Sequence, residues 1–310
     1  MRVAVTGAGG RLGRAVVAAL EEAPFTGPFG PIAWSRAIWD LDAPAGIDRL
    51  LDRDRPEVLV HCAAWTDVDA CAREPDLALR RNGDATRVLA RAAAARGIDL
   101  IVVSTNEVFD GRRTDGAGYA PDDQTHPINP YGASKLAGEL AAREAFGEAA
   151  PSGGAGAALG IARTAWLYGP PGNDFPSKIL AAADRAIGAE EPLRLVADET
   201  GSPSYTLDVA EAIVELIGAA AVEGTHHLVN AGSATRAAWA RELLHQARVE
   251  VPTQDVPAAT WPRASTPPGW AVLAPTPLPG GEPLRPWTAA LADYLPTLRR
   301  QRAAATAAAR

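Results

Sequence analysis

The junction between the first predicted strand and the first predicted helix constrains the fold more than any other feature. RVAVT (2–6) is a short apolar run, a helix is predicted at 11–22, and three glycines mark the junction, namely Gly7, Gly10 and Gly13. Glycines at this place let backbone N–H groups and the helix N-terminus approach a pyrophosphate, because a side chain would block the approach. The spacing is G-x-x-G-x-x-G, and Leu12 occupies the place of the third glycine in the usual G-x-G-x-x-G fingerprint. We interpret the junction as a nucleotide-binding turn, with an ordinary tight βα turn as the alternative.

Short β-branched runs alternate with segments of helical period through the first 165 residues. Further strands are predicted at PIAW (31–34), EVLVH (57–61), IDLIVVS (98–104) and ALGIART (158–164), and further helices at 75–96 and 131–146. This alternation is typical of parallel βαβ units. We therefore predict an α/β fold in which residues 1–165 form a Rossmann-type doubly wound parallel sheet.

The rest of the chain has a different composition, with more proline and glycine. The segment 147–157 (GEAAPSGGAGA) predicts a surface loop, and proline and glycine become denser after residue 166, especially at 251–286. We expect a smaller, loop-rich C-terminal substrate-binding lobe at 166–298 rather than a second regular sheet. Residues 299–310 form a low-complexity tail that we interpret as a frayed helix end.

Composition excludes several function classes. Hydrophobic residues make up 47% and charged residues 22% of the chain, as in globular proteins with a proper core. The formal charge is −7 without a block of basic residues, which argues against nucleic acid or an anionic membrane as partner. Two cysteines, an N-terminal segment unlike a signal peptide and the lack of a long apolar stretch predict a cytoplasmic protein without a membrane span.

The second predicted strand ends in Trp34-Ser35-Arg36, with no carboxylate before Asp40. An acidic residue at this place would bind the adenosine 2′-hydroxyl of NAD, whereas a guanidinium suits a 2′-phosphate, which it binds bidentately. We expect NADPH to be preferred over NADH. The alternative is that Arg36 is a solvated loop charge.

Tyr131 and Lys135 stand four residues apart on the helix that Asn129 and Pro130 open, so they lie on one face. An ammonium close to a phenol favours the phenolate and lowers the tyrosine pKa from its ordinary value near 10. Of the 30 basic residues 28 are arginines, so a lysine here indicates a need for a compact ammonium. The pair predicts proton transfer, and an exposed helix pair without chemistry is the alternative.

The fourth predicted strand ends in two hydroxyl residues, Ser104 and Thr105. Carboxyl ends of parallel strands are where such sheets bind ligands, and a hydroxyl there can donate to a carbonyl oxygen that gains charge as hydride arrives. Spacing alone leaves both residues as candidates.

Other polar residues carry no predicted chemistry. The five histidines show no metal-ligand spacing, Cys62 is read as a small apolar residue, and no catalytic metal is predicted. Three acidic residues are interpreted as solvated loop or helix-start charges, namely Asp198, Asp208 and Glu211.

Several segments follow one another in an order known from other chains. In addition to the glycine turn, these segments are AAWTDVD (63–69), STNEVFDG (104–111), YGASK (131–135), RTAWLYG (163–169) and TGSPSYTLDVA (200–210). Together they resemble the extended short-chain dehydrogenases/reductases and, more closely, the dTDP-4-dehydrorhamnose reductase family, over residues 1 to about 295. The resemblance further implies that the chain returns to the large sheet after about residue 165.

The resemblance implies NADPH-dependent reduction of the C4 keto group of a dTDP-4-keto-6-deoxyhexose, with NADH as the alternative cofactor. Tyr131 would supply the proton, Lys135 would hold the ribose, and Thr105 rather than Ser104 would polarise the carbonyl. The residues implied at the cofactor are Gly7, Gly10, Arg11, Leu12, Gly13, Ser35, Arg36, Ala63, Ala64, Ser104, Tyr131 and Lys135.

Five residues are implied near the sugar, namely Thr66, Val68, Asn106, Glu107 and Trp166. The indole of Trp166 offers an aromatic face to the apolar C–H face of a 6-deoxy sugar, with core packing as the alternative. Asn82 is implied as structural support.

Three places depart from the family pattern. Asn106-Glu107 stands where the family has Asp-Tyr, Ala72 replaces an acidic residue, and Thr266-Pro267 replaces Arg-Pro. These departures leave the hydride chemistry untouched and put the sugar's identity in question. A related nucleotide-sugar 4-ketoreductase is one alternative, and a non-catalytic NADP-binding subunit that resembles the methionine adenosyltransferase β subunit is another. A homodimer is left open.

Overall fold

A six-stranded parallel sheet organises the computed structural model, which describes residues 1–149 and 156–308. The spatial order of its strands is β10-β5-β4-β3-β1-β2. They are β1 (Val3–Thr6), β2 (Ile32–Trp34), β3 (Val58–His61), β4 (Asp99–Thr105), β5 (Leu159–Thr164) and β10 (Gly224–His227). The predicted Rossmann-type sheet is confirmed, and β10 adds a strand after residue 165 by pairing in parallel with β5.

Helices cover both faces of this sheet, as its almost wholly buried strands require. The helices of the chain are α1 (Arg11–Glu21), α2 (Ile47–Asp54), α3 (Val68–Arg73), α4 (Pro75–Ala78), α5 (Ala85–Ala94), α6 (Pro130–Ala149), α7 (Phe175–Ala189), α8 (Thr206–Gly218), α9 (Arg236–Ala247) and α10 (Trp287–Ala308). One apolar cluster joins α2, α5 and α6 to the sheet, and a second joins α1 and α8 to its other face.

The helix predicted at 75–96 is interrupted in the structure. A π-helical turn, Leu79–Asp84, separates α4 from α5 and contains Asn82. Such turns are frequent at functional sites, since the extra residue changes the direction in which nearby side chains point.

The second half of the chain forms three small sheets beside α7, α9 and α10. Their strands are β6 (Leu167–Tyr168), β7 (Leu193–Val196), β8 (Thr200–Gly201), β9 (Ser204–Tyr205), β11 (Ala234–Thr235), β12 (Thr253–Val256) and β13 (Trp270–Ala271). An apolar cluster with Tyr168, Trp239 and Tyr294 lies between these helices and strands. The division into domains at residue 165 stays a prediction.

Two predicted segments fall partly outside the described residues. Of the loop predicted at 147–157, residues 147–149 belong to α6, and 150–155 are not described. The tail predicted from residue 299 is helical to Ala308, and 309–310 are not described. Arg302 donates to Asp184 on α7 at 3.0 Å, so this part of α10 is held against the lobe. Within the described ranges, no helix combines the length and apolarity needed to cross a membrane.

Candidate active site

The glycine turn between β1 and α1 is built for close backbone approach. Gly7 has a φ of +64°, and a Cβ there would lie 2.7 Å from the backbone of Ala63. A Cβ on Gly13 would lie 2.2 Å from the carbonyl oxygen of Gly7, and the Gly10 amide donates to that same oxygen at 2.8 Å. Gly7 and Gly13 therefore cannot be replaced without moving backbone, as a phosphate-binding turn requires.

The first turn of α1 points its N–H groups to this junction. Gly10 is the N-cap residue and provides no side-chain cap, which leaves these N–H groups to an anion. Leu12 packs its side chain into the core under the sheet, so only its backbone is at the junction. Arg11 departs from the expected cofactor contact, because its guanidinium donates to Gly172 at 2.8 Å in the loop that precedes α7.

A cleft of about 470 Å³ opens beside the glycine turn. Its walls include the predicted cofactor residues of the turn and of the ends of β2 and β3, namely Gly7, Gly10, Ser35, Arg36, Ala63 and Ala64, together with Trp39, Asp40, Leu41, Cys62, Trp65 and Arg81. The side chain of Arg36 is 76% exposed and donates to Asp40 at 3.2 Å. The structure thus brings these predicted residues together along one groove.

Tyr131 and Thr105 meet at the start of α6 and the end of β4. Asn129 caps α6 as predicted, since its side chain accepts the Gly132 amide at 2.8 Å. The Thr105 hydroxyl donates to the side-chain oxygen of Asn106 at 3.2 Å and accepts the backbone N–H of Glu107 at 3.2 Å, and it lies close enough to the Tyr131 phenol to act on its pKa. A hydroxyl and a phenol therefore face the same point, where both could reach one carbonyl oxygen.

The pKa of Tyr131 differs from the expectation. Burial, and after it the charge of Glu107, raise this pKa above its ordinary value, and the Thr105 hydrogen bond only partly opposes them. The expected lowering by Lys135 was wrong for this arrangement, because desolvation and a carboxylate dominate. The phenol is consequently protonated at neutral pH.

Lys135 lies one turn further along α6 and is 3% exposed. Burial lowers its pKa to about 8, although the carboxylate of Glu139 acts in the opposite direction. Its charge also acts on Cys62, a wall residue of the nucleotide cleft. The ammonium thus lies between the cleft and a buried carboxylate.

Ser104 has a different environment from Thr105. Its hydroxyl donates to Glu139 at 2.5 Å, and Glu139 also accepts two hydrogen bonds from Arg163, at 2.8 and 3.0 Å. All three side chains are buried. The structure therefore places Ser104 in a buried ionic cluster with Glu139 and Arg163, and its hydroxyl donates there.

Glu107 contributes a carboxylate near Tyr131 and Thr105. Its side chain accepts the Asn129 amide at 2.7 Å, and burial raises its pKa despite that hydrogen bond. The charges of Arg263 and Arg236 also act on this carboxylate. Of the residues predicted near the sugar, Glu107 is the one whose charge acts on Tyr131.

A second cleft, of about 760 Å³, extends from these arginines into the lobe. Five cationic residues line it with a single carboxylate, Glu199, and they are Lys178, Arg185, Arg194, Arg236 and Arg263. Arg263 also donates to Asp69 at 3.2 Å, next to the segment that follows β3. A groove with this excess of positive charge suits an anionic ligand such as a diphosphate.

The other residues predicted near the sugar have other surroundings. The ring of Trp166 is covered by the guanidinium of Arg236 at 3.5 Å, and a Cβ on Gly201 would lie 2.5 Å from it, which favours the core-packing alternative. Asn106 is buried and donates to the carbonyl oxygen of Ala271 at 3.0 Å. Thr66 is exposed just before α3, and Val68 is half-buried at its start.

Asn82 connects the predicted segments. It accepts the Trp65 amide at 2.8 Å and donates to the Ser134 hydroxyl at 3.0 Å. It thereby holds the end of β3 against α6, which agrees with the support expected of it.

Sequence reasoning missed several charged residues. Glu139 could have been found because it stands four residues after Lys135 on the same helix face. Arg81, Arg236 and Arg263 gave no such signal, since the sequence around them matches no motif. The prediction that Asp208 is a solvated charge was wrong, because its carboxylate is buried and accepts two hydrogen bonds from Arg285, at 2.8 and 2.9 Å.

No group of three potential ligands could hold a metal ion among the described residues. His61 is buried between the hydroxyls of Thr6 and Thr86, at 2.8 and 3.1 Å, and burial lowers its pKa to about 3. His61 is a neutral structural residue at the end of β3, directly before Cys62 and Ala63, which line the nucleotide cleft.

Comparisons with known proteins agree with this geometry. The family model described as RmlD substrate binding domain matches residues 1–300. A dTDP-4-dehydrorhamnose reductase from Streptomyces griseus is 37% identical over 308 residues, which cover 95% of this chain and 93% of that protein. A dTDP-4-keto-6-deoxy-D-glucose reductase from Streptomyces niveus is 35% identical over 298 residues, covering 95% and 96%.

A solved structure shows the same fold. It is a dTDP-4-dehydrorhamnose reductase from Bacillus anthracis in complex with NADP, with a TM-score of 0.82 and 30% identity. The match covers 94% of this chain and 98% of that one. The resemblance found in the motifs is thus confirmed, and the chain belongs to the dTDP-4-dehydrorhamnose reductase family, a family of oxidoreductases.

Proposed function

We propose that this oxidoreductase uses NADPH to reduce the C4 keto group of a dTDP-4-keto-6-deoxyhexose, in a reaction of the dTDP-4-dehydrorhamnose to dTDP-L-rhamnose type. The observation that carries the proposal is the proximity of the Thr105 hydroxyl to the Tyr131 phenol at the start of α6, one turn from the buried Lys135. The relatives from Streptomyces griseus and Bacillus anthracis, which carry the reductase name, support it.

The residues present fit a dinucleotide. A Cβ on Gly7 or Gly13 would fill the cradle of the turn, and the first N–H groups of α1 are left without a side-chain cap. Arg36, at the end of β2, would hold a 2′-phosphate, which supports NADPH over NADH. When bound, NADPH supplies the hydride that is added to the keto carbon.

The chain's own groups would complete the reduction with a proton. The phenol of Tyr131 would give its proton to the C4 oxygen, so that the carbonyl becomes a hydroxyl and the phenol a phenolate. Its raised pKa keeps the phenol protonated beforehand, and the Thr105 hydroxyl, which donates to Asn106 in the structure, would turn to donate to the C4 oxygen as charge develops on it. The buried ammonium of Lys135 would bind ribose hydroxyls of the cofactor.

The cationic second cleft would bind the dTDP portion of the substrate. Arg236 and Arg263 are near Glu107 and hence near the reacting pair, whereas Lys178, Arg185 and Arg194 continue the positive charge into the lobe. This order matches a molecule with a sugar at one end and a diphosphate next to it.

The experiment is to follow the absorbance of reduced nicotinamide with purified protein, NADPH and enzymatically prepared dTDP-4-dehydrorhamnose. We expect oxidation of NADPH by the wild type and none by Tyr131→Phe, with equal NADPH affinity in both proteins. NADPH binding without turnover on any dTDP-4-keto sugar would contradict the proposal and favour a non-catalytic NADP-binding subunit.

A second candidate is reduction of a different 4-keto sugar. Glu107 stands where the family has a tyrosine, and the relative from Streptomyces niveus is named for dTDP-4-keto-6-deoxy-D-glucose. Turnover of that keto sugar without an epimerase would favour this candidate. A cytoplasmic location and a homodimer also belong to the proposal, and light scattering of the purified protein tests the homodimer.

A further inference from the structure

A network of two arginines and two aspartates borders the nucleotide cleft at the end of β2. Arg36 and Arg81 both line the cleft, and Asp40 lines it as well. Asp42 lies behind them and accepts hydrogen bonds from both guanidinium groups. The network therefore places two positive and two negative charges where an adenosine phosphate would lie.

The two arginines hold Asp42 very differently. Arg81 binds both carboxylate oxygens in a fork, with its Nε at 2.6 Å and its Nη2 at 2.7 Å. Arg36 shares one of these oxygens at a longer 3.4 Å. Bidentate pairs between a guanidinium and a carboxylate are short and strong, so Arg81 is the main partner of Asp42.

The surroundings of Arg81 make it a fixed group and those of Arg36 a movable one. Arg81 belongs to the π-helical turn, lies 4.9 Å from the centre of the Trp65 ring, and its side chain is 21% exposed. The side chain of Arg36 is 76% exposed. Arg36 donates to Asp40 at 3.2 Å and to Asp42 at 3.4 Å, so it can turn to a ligand by leaving two exposed contacts while Arg81 stays on Asp42.

We propose that Arg81 makes the cleft selective for NADPH by neutralising Asp42, which leaves Arg36 to bind the 2′-phosphate. This inference rests on the proposed function of the cleft as an NADPH site. The 2′-phosphate brings about −1.5 to −2 charges at pH 7, and an unpaired carboxylate beside it would repel it and compete for Arg36. NADH lacks this phosphate, so the affinity of the protein for NADH should not depend on the Arg81–Asp42 pair. Arg81 is a positioning residue here, since it acts through Asp42.

The test compares dissociation constants for NADPH and NADH, measured by the fluorescence of the reduced nicotinamide, in the wild type and in Arg81→Ala. We expect Arg81→Ala to raise the dissociation constant of NADPH by about tenfold and that of NADH by less than about threefold. The loss of one charge-assisted contact changes a dissociation constant by about tenfold. Adding Asp42→Asn to Arg81→Ala removes the unpaired charge and should restore the ratio of the two constants.

Arg87→Ala is the matched control, because it removes the same charge from α5, where Arg87 pairs with Asp84 instead of Asp42. It should leave both constants unchanged. The inference would be overturned if Arg81→Ala weakened the binding of NADPH and NADH equally, or left both dissociation constants unchanged. It would also be overturned if Asp42→Asn failed to restore the ratio of the two constants. Absence of NADPH binding by the wild type would instead overturn the proposed function.

Discussion

Gly132, directly after Tyr131, lies where α6 comes very close to the backbone of the turn that follows Thr105. A Cβ built on Gly132 would lie 2.0 Å from the carbonyl oxygen of Glu107 and 2.9 Å from its carbonyl carbon. Both are backbone atoms of the 3₁₀ turn that follows Thr105, so no side-chain rotation relieves the clash. Gly132→Ala must therefore separate α6 from this turn.

The size of the effect follows from the geometry. Ordinary carbon–oxygen contacts begin near 3.4 Å, so the separation has to grow by more than 1 Å. A displacement of about 1 Å at reacting groups can cost about 10²-fold in rate, and Tyr131 and Thr105 lie on the two elements that are pushed apart. Overpacking costs about 1–3 kcal/mol of unfolding free energy, and the better helix propensity of alanine offsets up to about 1 kcal/mol of this.

Gly147→Ala gives the same chemical change in the same helix without the clash. No atom lies within 4 Å of a Cβ at Gly147, and the residue is exposed. We expect it to raise the unfolding free energy by about 0.5–1 kcal/mol and to leave the rate unchanged. Urea unfolding and NADPH oxidation with the keto sugar measure both quantities for both variants.

The reasoning would be refuted by a Gly132→Ala protein whose kcat/KM stays within about threefold of that of Gly147→Ala. It would also fail if Gly132→Ala lost activity because it no longer folds. Circular dichroism and NADPH affinity, which we expect to stay near wild type, separate a displaced phenol from an unfolded chain.

Three further predictions concern buried charge. Glu107→Gln removes the second-largest contribution to the raised pKa of Tyr131, after burial, so the fall of kcat at alkaline pH should move to lower pH; an unchanged profile would contradict this. Arg163→Met leaves Glu139 without its bidentate partner in a buried place and should cost about 3–5 kcal/mol in urea unfolding, part of which Glu139→Gln in the same chain recovers. His61 has a pKa of about 3 in the folded chain and about 6.5 in the unfolded one, so only the unfolded chain takes up its proton as the pH falls between these values. The unfolding free energy should therefore decrease from pH 6.5 towards pH 4, and less steeply in His61→Gln.

The sequence by itself determined the features that depend on near neighbours in the chain. The strand that precedes Gly7 and the alternation of strands and helices follow from local apolar runs and glycine conformations. These elements are found close to where they were predicted, although a π-helical turn interrupts the helix predicted at 75–96. The side chain of Asn129 caps α6, and the four-residue spacing of Tyr131 and Lys135 places both on that helix. Helix geometry fixes such relations once the helix exists.

Only the tertiary structure decided what the long polar side chains bind. Arg11 stands in the glycine turn, yet its guanidinium reaches a loop more than 150 residues away. Ser104 and Thr105 are neighbours in sequence, and only the packing of α6 on β4 assigned one to Glu139 and the other to Tyr131. The pKa of a buried phenol depends in the same way on desolvation and on charges brought in by folding. Local pattern fixes where a residue sits, whereas its partners come from segments that the chain unites only when it buries its core.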